Sequence, residues 1–324
     1  MLTYVIRRLL YSVVVLFAAS VIVFWGMSLV TSPIGFLRQQ PGISEQTIHN
    51  IEHRKHLDRP IYVRYGYWMK DVVTNKFGTE TINDTPIFPD LKRAMGHTLQ
   101  LVVVAELLAI LIAVGIGVYS ALRQYSVFDY TATTASFVGL AIPVFWLALM
   151  LQVLFVNIYL WFDIRIFYTA SLSGVDPGHG IHFALDRAQH LALPIIALCV
   201  ASIATYSRFM RGSMLEVINS DYVRTARAKG LPERRVIMRH AFRNALIPLT
   251  TVVALNFGAL IGGVVVTETV FGLDGMGLYF INSLNSGDPY PVMAWLMIVS
   301  AAIIFFNLLA DIAYGLLDPR VRHD

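Results

Sequence analysis

Residues 98–122, TLQLVVVAELLAILIAVGIGVYSAL, run for 25 positions with Glu106 as the one acidic or basic side chain. A helix of that kind is long enough to cross a bilayer, whose hydrocarbon core takes about 20 apolar residues. Five more stretches pass the same test: 9–30, 134–161, 191–210, 246–270 and 292–316. The chain as a whole has 324 residues, of which 56% are hydrophobic and only 14% charged, leaving more apolar surface than a water-soluble core can hide. These spans have helical lengths and are not alternating segments of about ten residues, which excludes a transmembrane β-barrel. An all-α integral membrane protein with six transmembrane helices is expected.

Arg7 and Arg8 precede the first span in the manner of a signal peptide. Its apolar run of 22 residues exceeds the about 7–15 of a signal h-region, and no small-x-small cleavage site closes it. It reads as an uncleaved helix. Cys199 is the single cysteine and falls inside the fourth span, so no intrachain disulfide can form and the thiol is read as packing. Nine Lys or Arg lie between Arg208 and Arg243, whereas 271–291 has none and 161–190 has only Arg165 and Arg187. Positive charge concentrates in short loops on the cytoplasmic side, so both termini are expected there. The long segment 31–97 also has nine, but segments of that size translocate regardless of charge. The formal charge of +4 follows from this bias and calls for no nucleic-acid partner.

Two polar segments are too long to be turns. In 44–57, SEQTIHNIEHRKHL, Ile48 and Ile51 share a weak helical face; Ile61, Tyr65 and Trp68 then follow at helical spacing. The second set reads as an interfacial helix with an aromatic anchor. With an irregular 78–89 they predict a small folded cap outside the membrane. On the other side, Asn219, Ser220 or Asp221 can cap a short helix through Lys229, Gly230 stands where a C′ glycine ends it, and Pro232 with Glu233 restarts a second helix that stops before Pro248. Tyr222, Val223 and Ala226 form its less polar side. A charged cytoplasmic loop is ordinarily a solvated face. Cap, small residue, glycine and proline at these offsets predict instead a rigid helix-corner-helix that offers a knob to a partner's groove.

Here the chain resembles a known family. Asp221-Tyr222-Val223-Arg224-Thr225-Ala226-Arg227-Ala228-Lys229-Gly230-Leu231 with His240-Ala241-Phe242-Arg243-Asn244-Ala245-Leu246-Ile247-Pro248 is similar to the coupling loop of binding-protein-dependent ABC permeases. Within them it looks like the B-type subunit of the dipeptide/oligopeptide group. Arg7-Arg8-Leu9-Leu10, Ile142-Pro143, Thr267-Glu268-Thr269-Val270-Phe271, Gly275-Met276-Gly277 and Leu317-Asp318-Pro319-Arg320-Val321-Arg322 extend the likeness over almost the whole chain. It departs in having Arg224-Thr225-Ala226 where the wider superfamily has Glu-Ala-Ala, Leu273-Asp274-Gly275 where the peptide group has Trp-Pro-Gly, and His97 where a small polar residue is commoner.

The resemblance implies a type I importer transmembrane domain: a first helix in 1–30, an external subdomain in 31–97, a five-helix core in 98–317 with a coupling loop at 211–245, and a cytoplasmic tail at 318–324. It implies location in the bacterial inner membrane, a homologous C-type permease partner, one or two ABC ATPase subunits that hold ATP and magnesium, an external solute-binding protein and a peptide substrate, with no catalysis, cofactor or metal in this chain. Asp221, Tyr222, Arg224, Thr225, Ala226, Arg227, Lys229 and Gly230 would dock the ATPase, and Pro232, His240, Arg243, Asn244 and Pro248 would form the arm to the fifth span. Nickel chelates or glutathione are the alternative cargo within the family.

Outside the family pattern, Glu106 is deep in an apolar span, where ionisable groups line cavities or pair. It is the candidate substrate-facing residue, against a structural hydrogen bond. Asp311 and Glu268 match the family and read as structural pairs. Pro143 is expected to kink the third span and shape the path. Gly258 and Gly262, a G-x-x-x-G extended by Ala254 and Gly263, predict close packing on a helix of this chain or of its partner. His49-Asn50-Ile51-Glu52-His53 matches the inverted zinc-protease pattern H-x-x-E-H, for which the plainer reading is a polar face of the cap. No Gly-Lys pair occurs, so nucleotide is not bound here in the P-loop manner. A lone secondary transporter would show internal repeats or broken helices, and a hydrolase would need a further metal ligand and a cleft.

Overall fold

The computed structural model describes residues 2–39, 42–81, 83–174, 176, 178–262 and 264–317. Helices dominate it: α1 (Leu2–Val30), α2 (Pro33–Gln39), α3 (Glu45–Arg54), α4 (Ile61–Thr74), α5 (Ile87–Leu122), α6 (Val127–Ala141), α7 (Val144–Phe162), α8 (Ile181–Ile218), α9 (Asp221–Ala228), α10 (Glu233–Arg235), α11 (Phe242–Ile261), α12 (Val265–Phe271), α13 (Met276–Ser286) and α14 (Pro289–Leu317). Among the described residues the extended pairing is limited to one bridge, Thr79 with Pro86. Six helical stretches are long and apolar enough to cross a membrane.

The centre of the bundle is α5 laid along α8, and small residues set their separation. Ala105, Ala109 and Ala113 are buried in the shared core, and a Cβ on Gly117 would come within 2.7 Å of both Met210 Cβ and Ser207 O. Between membrane helices, where lipid is as apolar as leucine, such close approach is the main source of adhesion. The G-x-x-x-G of α11 works the same way. A Cβ on Gly258 would lie 3.2 Å from Phe306 Cβ, and one on Gly262 would lie 3.1 Å from Val299 Cγ1. The helix it packs on is therefore α14 of this chain; Gly263 lies outside the described residues. In turn α14 holds α1, with Asp311 paired to Arg8 at 3.1 Å.

Several expected boundaries are corrected. Pro143 breaks the third span where a kink was expected: Ile142 is extended (φ −79°, ψ 120°) and Pro143 becomes the first residue outside α7. Proline pushes its predecessor out of the helical region and cannot bond back into the preceding turn. The segment thus divides into α6, which packs on α8 through Gly139 and Ala204, 3.3 Å from a Cβ there, and α7, whose Val153, Leu154, Trp161 and Phe162 remain exposed. The fifth span likewise ends at Ile261, with α12 as a separate helix. At the other extreme, α8 runs 38 residues to Ile218, so the first part of the 211–245 segment continues that helix.

In the segment between α1 and α5, Ile48 and Ile51 pack with Leu37. Trp68 is 3% exposed and packs with Phe24 of α1 and Met293 and Met297 of α14. The aromatic face of α4 is therefore turned onto the protein and not toward an interface, because α1 and α14 offer it an apolar groove. The described residues of 78–89 are also more regular than their composition predicted. Pro89 is in the first turn of α5, and Thr81 Oγ1 donates to Asp288 Oδ1 at 2.8 Å.

Candidate functional site

One end of the bundle carries α9. Its hydrophobic residues fall three apart, and Val223 and Ala226 are buried at 0% and 6% exposure in the core that includes Val236, Ala241 and Ala245. The opposite face, with Asp221, Tyr222, Arg224, Thr225 and Lys229, is exposed. Ser220 supplies the N-cap position, though its hydroxyl turns back to Val217 O at 2.6 Å. Gly230 follows with φ +74°, the left-handed conformation that ends a helix at C′, and its N–H donates to Arg227 O at 2.9 Å.

Two of the expected docking residues make contacts within the chain. Ala226 faces inward, so it supports the knob from beneath. Arg227 reaches over the corner to Glu233, with Nη2–Oε1 at 2.8 Å and Nε 3.2 Å from both oxygens; hydrogen bonding to Glu233 raises the guanidinium's pKa above its ordinary value. Such a forked pair fixes orientation more than it stabilises in exposed surroundings. We expect Arg227→Glu to loosen α9 and depress transport, and the double swap Arg227→Glu with Glu233→Arg to restore most of it. Transport assays on the two variants beside the unaltered protein check this; a swap no better than the single change removes the clamp.

The arm is not the separate helix expected to end before Pro248. Pro232 precedes α10, a π-helical turn follows over Val236–Ala241, and α11 continues without interruption to Ile261. Pro248 sits inside α11. Asn244 braces the arm against the knob, its Nδ2 donating to Tyr222 Oη at 3.0 Å and to His240 O at 3.1 Å. Arg243 is exposed. Arg227 Nη1 also reaches Ile218 O at 3.4 Å, so α8, α9 and α10 share one fastening.

Above the arm, α8 is clamped to the α5–α6 corner. Arg211 donates to both carboxylate oxygens of Asp129 at 2.6 and 2.8 Å, and Ser120 and the Tyr125 N–H complete the carboxylate's bonds. Nothing in the local sequence marked this pair, whose members are 82 residues apart.

Deeper in the bundle, Glu106 is 1% exposed. It accepts from Ser202 Oγ at 2.9 Å and Tyr206 Oη at 2.6 Å, and Asn256 Nδ2 lies 3.3 Å from Oε1. Glu106 does not itself line the neighbouring cavity of about 490 Å³ between α8, α11 and α12; its partners Ser202, Tyr206 and Asn256 do, and Glu106 stands behind them. Val144, just past the Pro143 break, forms part of the wall. A second cavity of about 580 Å³, lined by Thr205, Arg208, Glu216 and Pro248 among others, follows along α8. The overlooked signal was Ser202 and Tyr206 at i, i+4 in an apolar span. Cys199, one turn away, is buried and donates through Sγ to Ala105 O.

At the end opposite α9, Glu268 is 0% exposed. It accepts from Thr98 Oγ1 at 2.6 Å and from the Gly277 N–H at 2.6 Å, and Thr98 Oγ1 accepts from Met276 N at 2.8 Å. The carboxylate thus sits on the N-terminus of α13, where partial positive charge and unpaired N–H groups favour an anion. A Cβ on Gly275 would lie 2.5 Å from its Cδ.

The H-x-x-E-H residues do not converge. His53 lies 3.5 Å from Asp58, His49 is 3.9 Å from Glu52, and His56 stacks on Tyr67. Among the described residues no three His, Cys, Asp or Glu side chains are grouped to hold a metal.

Six long apolar helices, with a short braced helix at one end and a cavity between them, define a multi-pass membrane protein. The chain belongs to the family of binding-protein-dependent transport system inner membrane components, whose model matches residues 113–323; the family's N-terminal model matches 1–89. It is 38% identical to the oligopeptide transport system permease protein AppB of Bacillus subtilis, over 100% of both chains. It is 36% identical to the dipeptide transport system permease protein DppB of Alkalihalophilus pseudofirmus, again over 100% of both. With the oligopeptide transport system permease protein OppB of Mycobacterium tuberculosis it shares 39% over 99% of each. A solved amino acid ABC transporter aligns with 72% of this chain and 94% of its own at 16% identity and a TM-score of 0.45. This protein is a permease subunit of an ABC transport system, a class that works with an ATPase and a binding protein.

Proposed function

We propose that the chain is the B-type permease subunit of an ATP-driven peptide importer, forming half of the translocation path beside a homologous C-type subunit. The observation that carries this reading is α9: a short helix with its apolar side buried and its polar side free, fastened to α8 and to the arm of α11. Full-length likeness to oligopeptide and dipeptide permeases supports the cargo. In this reading both termini are cytoplasmic in the inner membrane, ATP and magnesium are held by one or two ATPase subunits, and this chain performs no catalysis. The external binding protein delivers peptide at the end that carries α13. Asp221, Tyr222, Arg224, Thr225, Lys229 and Gly230 meet the ATPase.

Closure of the ATPase pair displaces α9. Because α10, the π turn and α11 form one rod, the displacement reaches the mid-span cavity, and only a two-state lever is needed. Two experiments test this. Tagged subunit isolated in mild detergent brings down an ATPase and a second permease, and Arg224→Glu weakens that association several-fold. Uptake by the complex is competed by di-, tri- or longer peptides. Isolation of the chain alone removes the pump reading, and competition by nickel chelates or glutathione in place of peptides changes the cargo.

A further inference from the structure

The cluster around Glu106 has a polarity that geometry dictates. An ionised carboxylate only accepts hydrogen bonds, so Ser202 and Tyr206 each spend their single proton on it, at 2.9 and 2.6 Å. Tyr206 Oη is then an acceptor toward Asn256, 2.7 Å away, and only the amide nitrogen of Asn256 can fill that role. The side chain is thereby held in one of its two flips, with Oδ1 turned away from the carboxylate. Among the described residues nothing donates to Oδ1.

Asn256, Tyr206 and Ser202 line the cavity, and among the described residues no Lys, Arg or His does. The remaining wall is mostly Val, Leu and Ala. Its volume of about 490 Å³ falls in the range of small-molecule sites, about 300–1,000 Å³. An unfilled carbonyl acceptor backed by a buried carboxylate, in an apolar chamber without a cation, favours an N–H donor and above all a protonated amine.

We propose that Asn256, oriented by Glu106 through Tyr206, is an acceptor in the translocation path that engages the ammonium terminus of a peptide in transit. Glu106 is then a positioning residue that touches no substrate. The inference rests on the peptide-importer reading and assigns the cavity a definite part of the cargo. Glu106→Gln would put a donor where Tyr206 now delivers its proton, and Asn256 would lose its reason to stay in one flip.

The test uses the intact complex with its ATPase, partner permease and binding protein in proteoliposomes. Alanyl peptides carry a photoreactive diazirine side chain in either the first or the last residue. The first-residue probe should label residues 198–206 or 252–260. Asn256→Leu should cut that label and the maximal uptake rate about tenfold, the worth of one charge-assisted hydrogen bond, while labelling by the last-residue probe elsewhere in the chain persists. Glu106→Gln should move both readouts the same way. Equal loss from both probes indicates a purely structural role and overturns the proposal, as does first-residue labelling that Asn256→Leu leaves unchanged. If the wild-type complex imports the peptide but labels neither segment, a partner helix fills the cavity and the acceptor role is wrong. A wild-type complex that imports no peptide instead removes the parent reading, and the inference falls with it.

Discussion

Gly277→Ala is expected to remove most of the folded subunit from the membrane. The added Cβ would fall well inside contact distance of Val265 Cα, 2.9 Å from Val265 N and 3.0 Å from Glu268 Oε2. Two of these three neighbours are backbone, which has no rotamer to yield. Relief requires α12 and α13 to separate, and that lifts Glu268 off the N–H groups of Gly277 and Leu278. Overpacking costs about 1–3 kcal/mol, and each buried donor left without a partner about as much again. A loss above about 3 kcal/mol is a large share of the stability of an ordinary domain. Gly272→Ala is the informative contrast: φ is +59° there, but nothing lies within 4 Å of its Cβ, so the cost is only the left-handed backbone, about 1–2 kcal/mol. Subunit abundance and thermal unfolding of the assembled complex measure both. Gly277→Ala at wild-type level and melting temperature would show that the cradle is not needed.

Gly230→Val should leave insertion and abundance intact while lowering uptake more than about tenfold. No atom lies within 4 Å of a Cβ on Gly230, so the substitution meets no steric obstacle, and the whole effect comes from φ +74°, which a β-branched residue strongly resists. The corner would open toward an extended conformation, turning α9 away from the Arg227–Glu233 fastening and leaving ATP hydrolysis without a load. Gly230→Asn, which tolerates the left-handed region, should keep most uptake. Transport and ATPase activity of the purified complex are the readouts, and a Val variant that transports normally means that the corner does not carry the coupling.

How much of this was legible from residue order differs by region. The knob was readable because an N-cap position, a buried i, i+3 pair, a C′ glycine and a proline are local signals, and all lie between Ser220 and Pro232. The course of the arm is not legible in the same way, because a proline ordinarily ends a helix. In α11, Pro248 removes one hydrogen bond, and the helix continues through it with Leu249 and Ala245 buried on the same face. The opposite holds at Pro143, where extended Ile142 turns a kink into a break. Glu106 was legible as unusual but its role was not, since its partners stand 96, 100 and 150 positions away and only folding brings them together. The Gly258–Gly262 face was legible as a contact, while the choice of α14 over a second subunit needed three dimensions.

The lone thiol has a practical consequence for spectroscopy. Cys199 is buried with Sγ turned to a carbonyl, and the chain has no second cysteine. A cysteine placed at Thr225 or Lys229 would thus be the one accessible maleimide target in this subunit, with no native residue to remove first. A fluorophore or nitroxide there would report whether α9 is displaced during nucleotide turnover, turning the proposed mechanical step into a measured distance.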